Sequence, residues 1–324
     1  MRLFSMSRNR AAAAFVALSL SFFAGVRGAS DRDRLLVSVD WLAAHLHDPA
    51  LVLLHVGDPA GYAAAHLPGA RLAALREVSA GPSGPGDFPE LRLEMLPAEE
   101  LRRRLEALGI SDGSRIVVYF GEDWVSPSTR LLFTLDYAGL GANVSLLDGG
   151  QPAWVRAGHA VTADVPPPVS GKLQPLRLHD AIVDAKFVRD HRASPGFALV
   201  DARDADFYNG VETGGSPDHP HRTGHIAGAR SVPFDAVTTD DLHLRSDEEL
   251  RALLAAAGVA PGDTIVTYCH IGQQATAVLF AARTLGREVR LYDGSFEEWS
   301  RLPAADAPVE GPAPGPKAAE KSVP

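Results

Sequence analysis

Thr264-Ile265-Val266-Thr267-Tyr268-Cys269-His270-Ile271-Gly272-Gln273-Gln274 is the stretch on which the fold turns. A run of β-branched and aromatic residues gives way to a short loop containing a glycine. Residues 275–285 then place Ala277, Leu279, Phe280, Ala281 and Leu285 where a helix could offer them to a core. A short apolar run followed by a helix-length segment is the pattern of a strand covered on both faces, with its returning helix. Units of this kind build parallel sheets flanked by helices.

Outward from this stretch, the chain repeats itself. Arg115-Ile116-Val117-Val118-Tyr119-Phe120 matches Thr264-Ile265-Val266-Thr267-Tyr268-Cys269 at an offset of 149. Leu54-His55-Val56-Gly57-Asp58 matches Val200-Asp201-Ala202-Arg203-Asp204 at 146, and Ala65-His66-Leu67-Pro68-Gly69-Ala70 matches Gly224-His225-Ile226-Ala227-Gly228-Ala229 at 159. The segment from Leu146 to Trp154 matches that from Leu291 to Trp299 at 145. Four blocks in one order mark a duplicated α/β unit, and the changes of offset mark loop insertions. Strands are predicted at 50–56, 115–120, 197–202 and 264–269, and helices at 97–108, 246–257 and 275–285. Glu99, Glu100, Glu248 and Glu249 fall in first helical turns, where acids suit the positive helix end. Gly109 and Gly258 supply stops. Val165-Pro166-Pro167-Pro168-Val169-Ser170-Gly171 predicts a stiff linker. Residues 304–324, rich in Ala, Pro, Gly and Lys, predict a disordered tail.

The length of 324 residues suits about two domains. With 46% hydrophobic and 22% charged residues the composition is globular. A net charge of −9 argues against a general nucleic-acid binder. Cys269 is the single cysteine, which excludes an intrachain disulfide and a multi-cysteine metal site. Arg2, Arg8 and Arg10 precede an apolar run at 11–26, and Val26-Arg27-Gly28-Ala29-Ser30 follows. This predicts a secretory signal peptide over 1–28. The run is short of the roughly 20 residues of a comfortable membrane span; the alternative is a membrane anchor at 11–26. The expectation is an exported, periplasmic monomer with no stable membrane insertion after cleavage, in a compartment that permits disulfides.

The strand-end position makes Cys269 a candidate nucleophile. Open α/β sheets bind ligands beyond the C-terminal ends of their strands. Loop N–H groups and the positive end of the following helix converge there. A thiolate would be stabilised, so the thiol pKa is expected below its free value of about 8.5. Gly272 permits the turn. The plainer alternative is an inert buried cysteine. His219, His221 and His225 cluster, but no carboxylate or cysteine completes a recognised ligand spacing, so no metal site is expected. Trp154 and Trp299 match across the repeat, which points to packing.

Several blocks of the second half, in order, carry a family likeness. They are Asp201-Ala202-Arg203-Asp204-Ala205-Asp206-Phe207-Tyr208-Asn209-Gly210, Gly224-His225-Ile226-Ala227-Gly228-Ala229 with Val232-Pro233-Phe234, the Cys269–Gln274 loop, and the segment from Tyr292 to Trp299. With weaker copies in the first half, the chain resembles the tandem-domain rhodaneses, the thiosulfate-type sulfurtransferases. The resemblance implies an α/β fold of two tandem rhodanese-like domains, each a mostly parallel sheet flanked by helices. It implies an inactive domain at 31–161, a Pro-rich linker at 162–176 and a catalytic domain at 177–303. Phe120 aligns with Cys269, and Gly121-Glu122-Asp123-Trp124 offers no nucleophile and the wrong charge for an anion cradle, so the first half is expected to complete the cleft wall.

The resemblance also implies a chemistry. The Cys269 thiolate takes the sulfane sulfur of thiosulfate, sulfite leaves, and a thiophilic acceptor (cyanide or a thiol) discharges the persulfide. No metal or organic cofactor is implied. The implied partners are a small-molecule sulfur donor and that acceptor, with no nucleic acid. Arg203 would point into the cleft and hold the sulfonate, or else pair with Asp204, Asp206 or another carboxylate. His270, Ile271, Gly272, Gln273 and Gln274 form the implied substrate-binding loop. Gln273 and Gln274 supply side-chain donors. His270 supplies a donor that gains charge at lower pH, unless it faces solvent. The loop departs from the family's Cys-Arg-x-Gly-x-Arg/Thr and Cys-Gly-x-Gly-x-Thr patterns. His270 suits thiosulfate better than 3-mercaptopyruvate, which remains an alternative donor. A persulfide carrier or binding protein without turnover is a further alternative. Phosphatases of this fold use Cys-x5-Arg; Ala275 stands at that arginine position and argues against phosphate chemistry.

Overall fold

The structure is a computed structural model that describes residues 30–81, 90–121, 125–216 and 219–311. The expected signal peptide at 1–28, residues 122–124 of the first-half loop and residues 312–324 of the expected tail lie outside the described residues.

Two five-stranded sheets repeat one topology. In the first, the strands run Leu36–Val37, Val144–Leu147, Arg115–Phe120, Leu51–Val56, Arg71–Leu72 across the sheet. In the second, they run Ile182–Val183, Val289–Tyr292, Thr264–Tyr268, Phe197–Asp201, Arg230–Ser231. Every neighbouring pair in both sheets is parallel. The central strands Leu51–Val56 and Arg115–Phe120 are buried from their second residue onward, as a sheet covered on both faces requires. The fold is therefore α/β in two tandem copies, each a mostly parallel sheet flanked by helices.

Local signals explain the helices. Asp247–Ala256 begins with a reciprocal Ser246–Glu249 capping box and buries Leu250 and Leu254, one turn apart. Ala98–Ala107 carries Glu99 and Glu100 in its first turn and buries Leu101 and Leu105. Trp154 and Trp299 are buried, each in the cluster on the outer side of its own sheet.

The two copies meet through helices Ser126–Tyr137 and Ala275–Thr284, whose side chains share one continuous apolar core. Polar contacts between these helices and their leading turns join residues 147 positions apart. Gln273 Nε2 donates to Ser126 Oγ at 3.2 Å, Thr129 Oγ1 meets Thr276 Oγ1 at 2.9 Å, and Arg283 pairs with Asp136 at 2.6 Å. Gly139 and Gly286, again 147 apart, both take positive φ just after these helices. The interface is thus a pseudo-two-fold between equivalent helices.

One sequence expectation is filled out and one needs amendment. The proline-rich linker is held against the first domain. Gly171 N–H donates to Glu106 O at 2.7 Å, Lys172 N–H donates to Ser111 Oγ at 3.0 Å, and Leu173 is buried, so the segment is laid along the first domain. Residues 304–311 are not a disordered tail. Val309–Glu310 pairs antiparallel with His225–Ile226, and Ala307 is fully buried. Averaged composition hid a short segment whose Ala307 and Val309 pack with Ile226 and Trp299. Among the described residues no helix is long and apolar enough to cross a membrane.

Candidate active site

Strand Thr264–Tyr268 lies in the middle of the second sheet and ends one residue before Cys269. Its last residue is anchored: Tyr268 Oη donates to Asp201 Oδ2 at 2.7 Å and accepts from Ile226 N–H at 3.0 Å. Cys269 is held by its backbone as well. Its N–H donates to Ser295 Oγ at 3.3 Å, and its carbonyl accepts from Phe296 N–H at 3.0 Å. The chain then turns back on itself before helix Ala275–Thr284 begins.

That turn builds a cradle. The backbone N–H groups of Ile271, Gly272, Gln274 and Ala275 all face the Cys269 sulfur and favour its thiolate. Gly272 sits at φ +76°, and a Cβ there would lie 2.9 Å from Asp293 O and 3.0 Å from both Arg130 Nη1 and Asp293 Oδ1. Only glycine meets both conditions. The cradle is an array of donors aimed at one atom, the arrangement that stabilises an anion in a nest at a helix start.

The sulfur is nevertheless fully buried. Burial pushes the Cys269 thiol up, and the four N–H groups offset this only in part. The expectation of a lowered thiol pKa is therefore corrected: removal from water penalises the thiolate more than the donors repay.

Arg203 is corrected too. It is 1% exposed, and its guanidinium turns back on Asp201, which is 0% exposed. Nη2 donates to Asp201 Oδ2 at 2.6 Å and to Gly224 O at 2.8 Å, and Nε donates to Asp201 Oδ1 at 3.0 Å. Its face lies 4.0 Å from the Phe296 ring centroid. The alternative of a carboxylate partner holds, with Asp201 in place of Asp204 or Asp206, and the guanidinium is turned to the strand end rather than to a cleft.

His270 is half-buried rather than turned to solvent. Its ring packs edge-on to Phe207 and stacks with His221, with centroids 4.6 and 5.6 Å away. Burial, then the charge of Arg203, lowers its pKa to about 3, so it stays neutral where a free histidine would be charged. Ile271 and Gln273 are half-buried, and the Gln273 amide is engaged by Ser126 across the domain interface. Gln274 keeps a buried side-chain oxygen with no hydrogen-bond partner among the described residues.

Sequence reasoning missed Arg130 here and did not place His221 or Asp293 at the site. Arg130 reaches from the first domain to Gly272 O and Asp293, and the Asp293 carboxylate also accepts from Met95 N–H at 3.2 Å. His221 stacks on His270 with its ring nitrogens unpartnered among the described residues. Burial, ahead of Arg203, lowers its pKa to about 4. A lone arginine inside the apolar stretch of helix Ser126–Tyr137 was the available signal for Arg130. Among the described residues no group of three or more His, Cys, Asp or Glu side chains is placed to hold a metal, the histidines around His221 included.

Known proteins are similar to this chain along most of its length. The rhodanese-like domain family matches residues 38–157 and again 184–302. A sulfur carrier protein, TtuD, of Thermus thermophilus is 32% identical over 283 residues, spanning 83% of this chain and 94% of its own. A thiosulfate sulfurtransferase of Pseudomonas aeruginosa is 30% identical over 282 residues, spanning 85% and 97%. Among solved structures, an anaerobic ergothioneine biosynthesis enzyme from Chlorobium limicola, bound to its substrate trimethyl histidine, superposes with a TM-score of 0.75. It is 23% identical and covers 87% of this chain and 71% of that one, a likeness of fold. Two matched domains, each on its own sheet, and relatives that align along nearly their whole length establish that this chain belongs to the tandem-domain rhodanese family, which is thiosulfate-sulfurtransferase-like.

Proposed function

We propose that the protein is a sulfurtransferase that carries sulfane sulfur on Cys269. The observation that carries this reading is the convergence of four backbone N–H groups on one sulfur at a strand end. The Cys269 thiol loses its proton to solvent, and the thiolate attacks the outer sulfur of thiosulfate. A new S–S bond forms, the S–S bond of thiosulfate breaks, and its electron pair leaves with sulfite. The donors that held the thiolate then face the charge of the persulfide, as an oxyanion hole faces oxygen. Cyanide or a thiol attacks the outer sulfur and regenerates Cys269. Splitting one transfer into two displacements is nucleophilic catalysis and calls for no cofactor. The loop N–H groups and the amide of Gln274 are the donors proposed to meet the substrate; Arg203 is assigned to holding the fold.

The test is mass spectrometry after thiosulfate, followed by turnover with cyanide. The expected result is a gain of about 32 mass units (one sulfur atom) at Cys269, discharged by the acceptor and absent from Cys269→Ser. Turnover retained by folded Cys269→Ser would sink the mechanism. A second reading, a sulfur carrier without rapid turnover, is favoured by the TtuD relative and by the full burial of the sulfur. It predicts a persulfide that forms but is not discharged by small acceptors. Comparing thiosulfate with 3-mercaptopyruvate kinetically decides the donor. Residues 1–28 are proposed to direct export, which N-terminal sequencing of secreted material tests.

A further inference from the structure

Arg130 is fully buried on a helix of the domain without a cysteine, yet its guanidinium serves the other domain's loop. Nη1 donates to Gly272 O at 3.0 Å and to Asp293 Oδ1 at 2.6 Å, and Nη2 donates to Leu93 O. Burying a charge is costly unless it is paired and fully bonded, so the position asks what the arginine is for. Gly272 is gripped from both sides: its N–H faces the Cys269 sulfur and its carbonyl faces Arg130.

The internal repeat separates docking from this grip. At the spacing of 147 that pairs Thr129 with Thr276, the counterpart of Arg130 is Ala277. The neighbouring contact is kept in both directions: Met95 N–H donates to Asp293 at 3.2 Å, and Leu244 N–H donates to Asp148 at 2.8 Å in the mirror position. The domains therefore dock on both sides with that strap contact, but the helix position that sends Arg130 toward the cysteine loop is an alanine, Ala277, in the other copy. We infer that Arg130 is a positioning residue for the sulfur cradle: it holds the Gly272 carbonyl outward so that the loop N–H groups converge on the Cys269 sulfur. The inference rests on the reading of Cys269 as the sulfur-bearing residue.

The test uses Arg130→Met, the charge-balanced pair Arg130→Met/Asp293→Asn, and Arg130→Lys. Arg283→Met, which removes a comparable interdomain ion pair away from the loop, is the control. The readouts are the ultraviolet titration of the thiolate, as a difference against Cys269→Ser, and the kcat and KM for thiosulfate. Loss of the guanidinium is expected to raise the thiol pKa by about one pH unit, leaving about tenfold less thiolate at neutral pH. kcat is expected to fall by a similar factor with KM within about twofold, and Arg130→Lys to fall in between. Arg283→Met should lower stability and leave the thiol titration in place. A folded charge-balanced variant with an unmoved titration, or an Arg283→Met variant that moves it equally, overturns the inference. The titration needs no sulfur donor. A shifted titration in a protein that no donor loads would therefore count against the proposed function alone.

Discussion

Thr129 and Thr276 touch hydroxyl to hydroxyl at 2.9 Å, and they occupy the same place in the two copies of the fold. Each hydroxyl also lies within reach of the carbonyl three residues earlier in its own chain segment, Ser126 O at 3.0 Å and Gln273 O at 2.6 Å. Two protons thus serve three contacts, buried on the axis that relates the domains.

Thr129→Val and Thr276→Val are each expected to cost about 1 kcal/mol, because one buried hydroxyl loses a partner but keeps its own carbonyl. The double variant should cost about 0.5 kcal/mol less than the sum, since both partners leave together. Denaturant unfolding of the four proteins measures this; strict additivity would mean that the contact is energetically silent.

Arg203→Ala is expected to act on folding rather than on substrate affinity. It leaves the Asp201 carboxylate buried and unpaired, a defect of about 3–5 kcal/mol. Thermal unfolding should fall sharply, and KM for thiosulfate should be unchanged in whatever folds. A normal melting temperature with a raised KM would restore the role that the sequence suggested.

Acid should destabilise the protein through its histidines. Burial lowers His55 and His221 to about 4 and His270 to about 3, from 6.5. Below pH 6.5 the unfolded chain takes up protons that the native state refuses, so stability falls as pH drops from about 6.5 toward 4. Glu94 works the other way. Burial, then the charge of Asp293, raises it from 4.5 to about 8, so the native state keeps a proton that the unfolded chain releases. Stability should therefore also decline from about pH 6.5 to 8, where only the acid is in play among these four. Urea midpoints across this range check both limbs, and Glu94→Gln should flatten the upper one. A wild-type midpoint that climbs steadily to pH 8 contradicts the assignment.

Gly272→Ala should lose at least about tenfold in sulfur loading, because its Cβ meets Asp293 O at 2.9 Å and displaces an N–H from the cradle. Gly196 has a similar φ of +82° with nothing within 4 Å. Gly196→Ala should cost only the backbone strain, about 1–2 kcal/mol, with loading intact. Equal losses from both would place the effect in the backbone rather than in the site.

The fold was legible because strands covered on both faces read as unbroken apolar runs, as in Arg115–Phe120 and Thr264–Tyr268. Glycines such as Gly109 and Gly258 marked where helices stop. The loop after Cys269 was legible for the same reason. The direction of the thiol pKa and the charge on His270 were not, because both depend on burial, which neighbouring loops supply. Arg203 was misjudged because Asp201-Ala202-Arg203 reads the same whether the guanidinium points outward or folds back two residues. Arg130 escaped notice because its partners, Gly272 and Asp293, lie on the far side of a domain interface.

The strand at Val309–Glu310 bears on where the second half can be cut. Trp299 Nε1 donates to Pro308 O at 3.2 Å, and Ala227 N–H donates to the same oxygen at 3.1 Å. The family match stops at residue 302. A fragment trimmed to that boundary would strip the acceptor from both donors and uncover the indole and Ile226. Expression or limited-proteolysis fragments of the thiol-bearing half should therefore run to Gly311. A protease that clips between Leu302 and Pro308 would act as a trigger for unfolding rather than as a trim of loose chain.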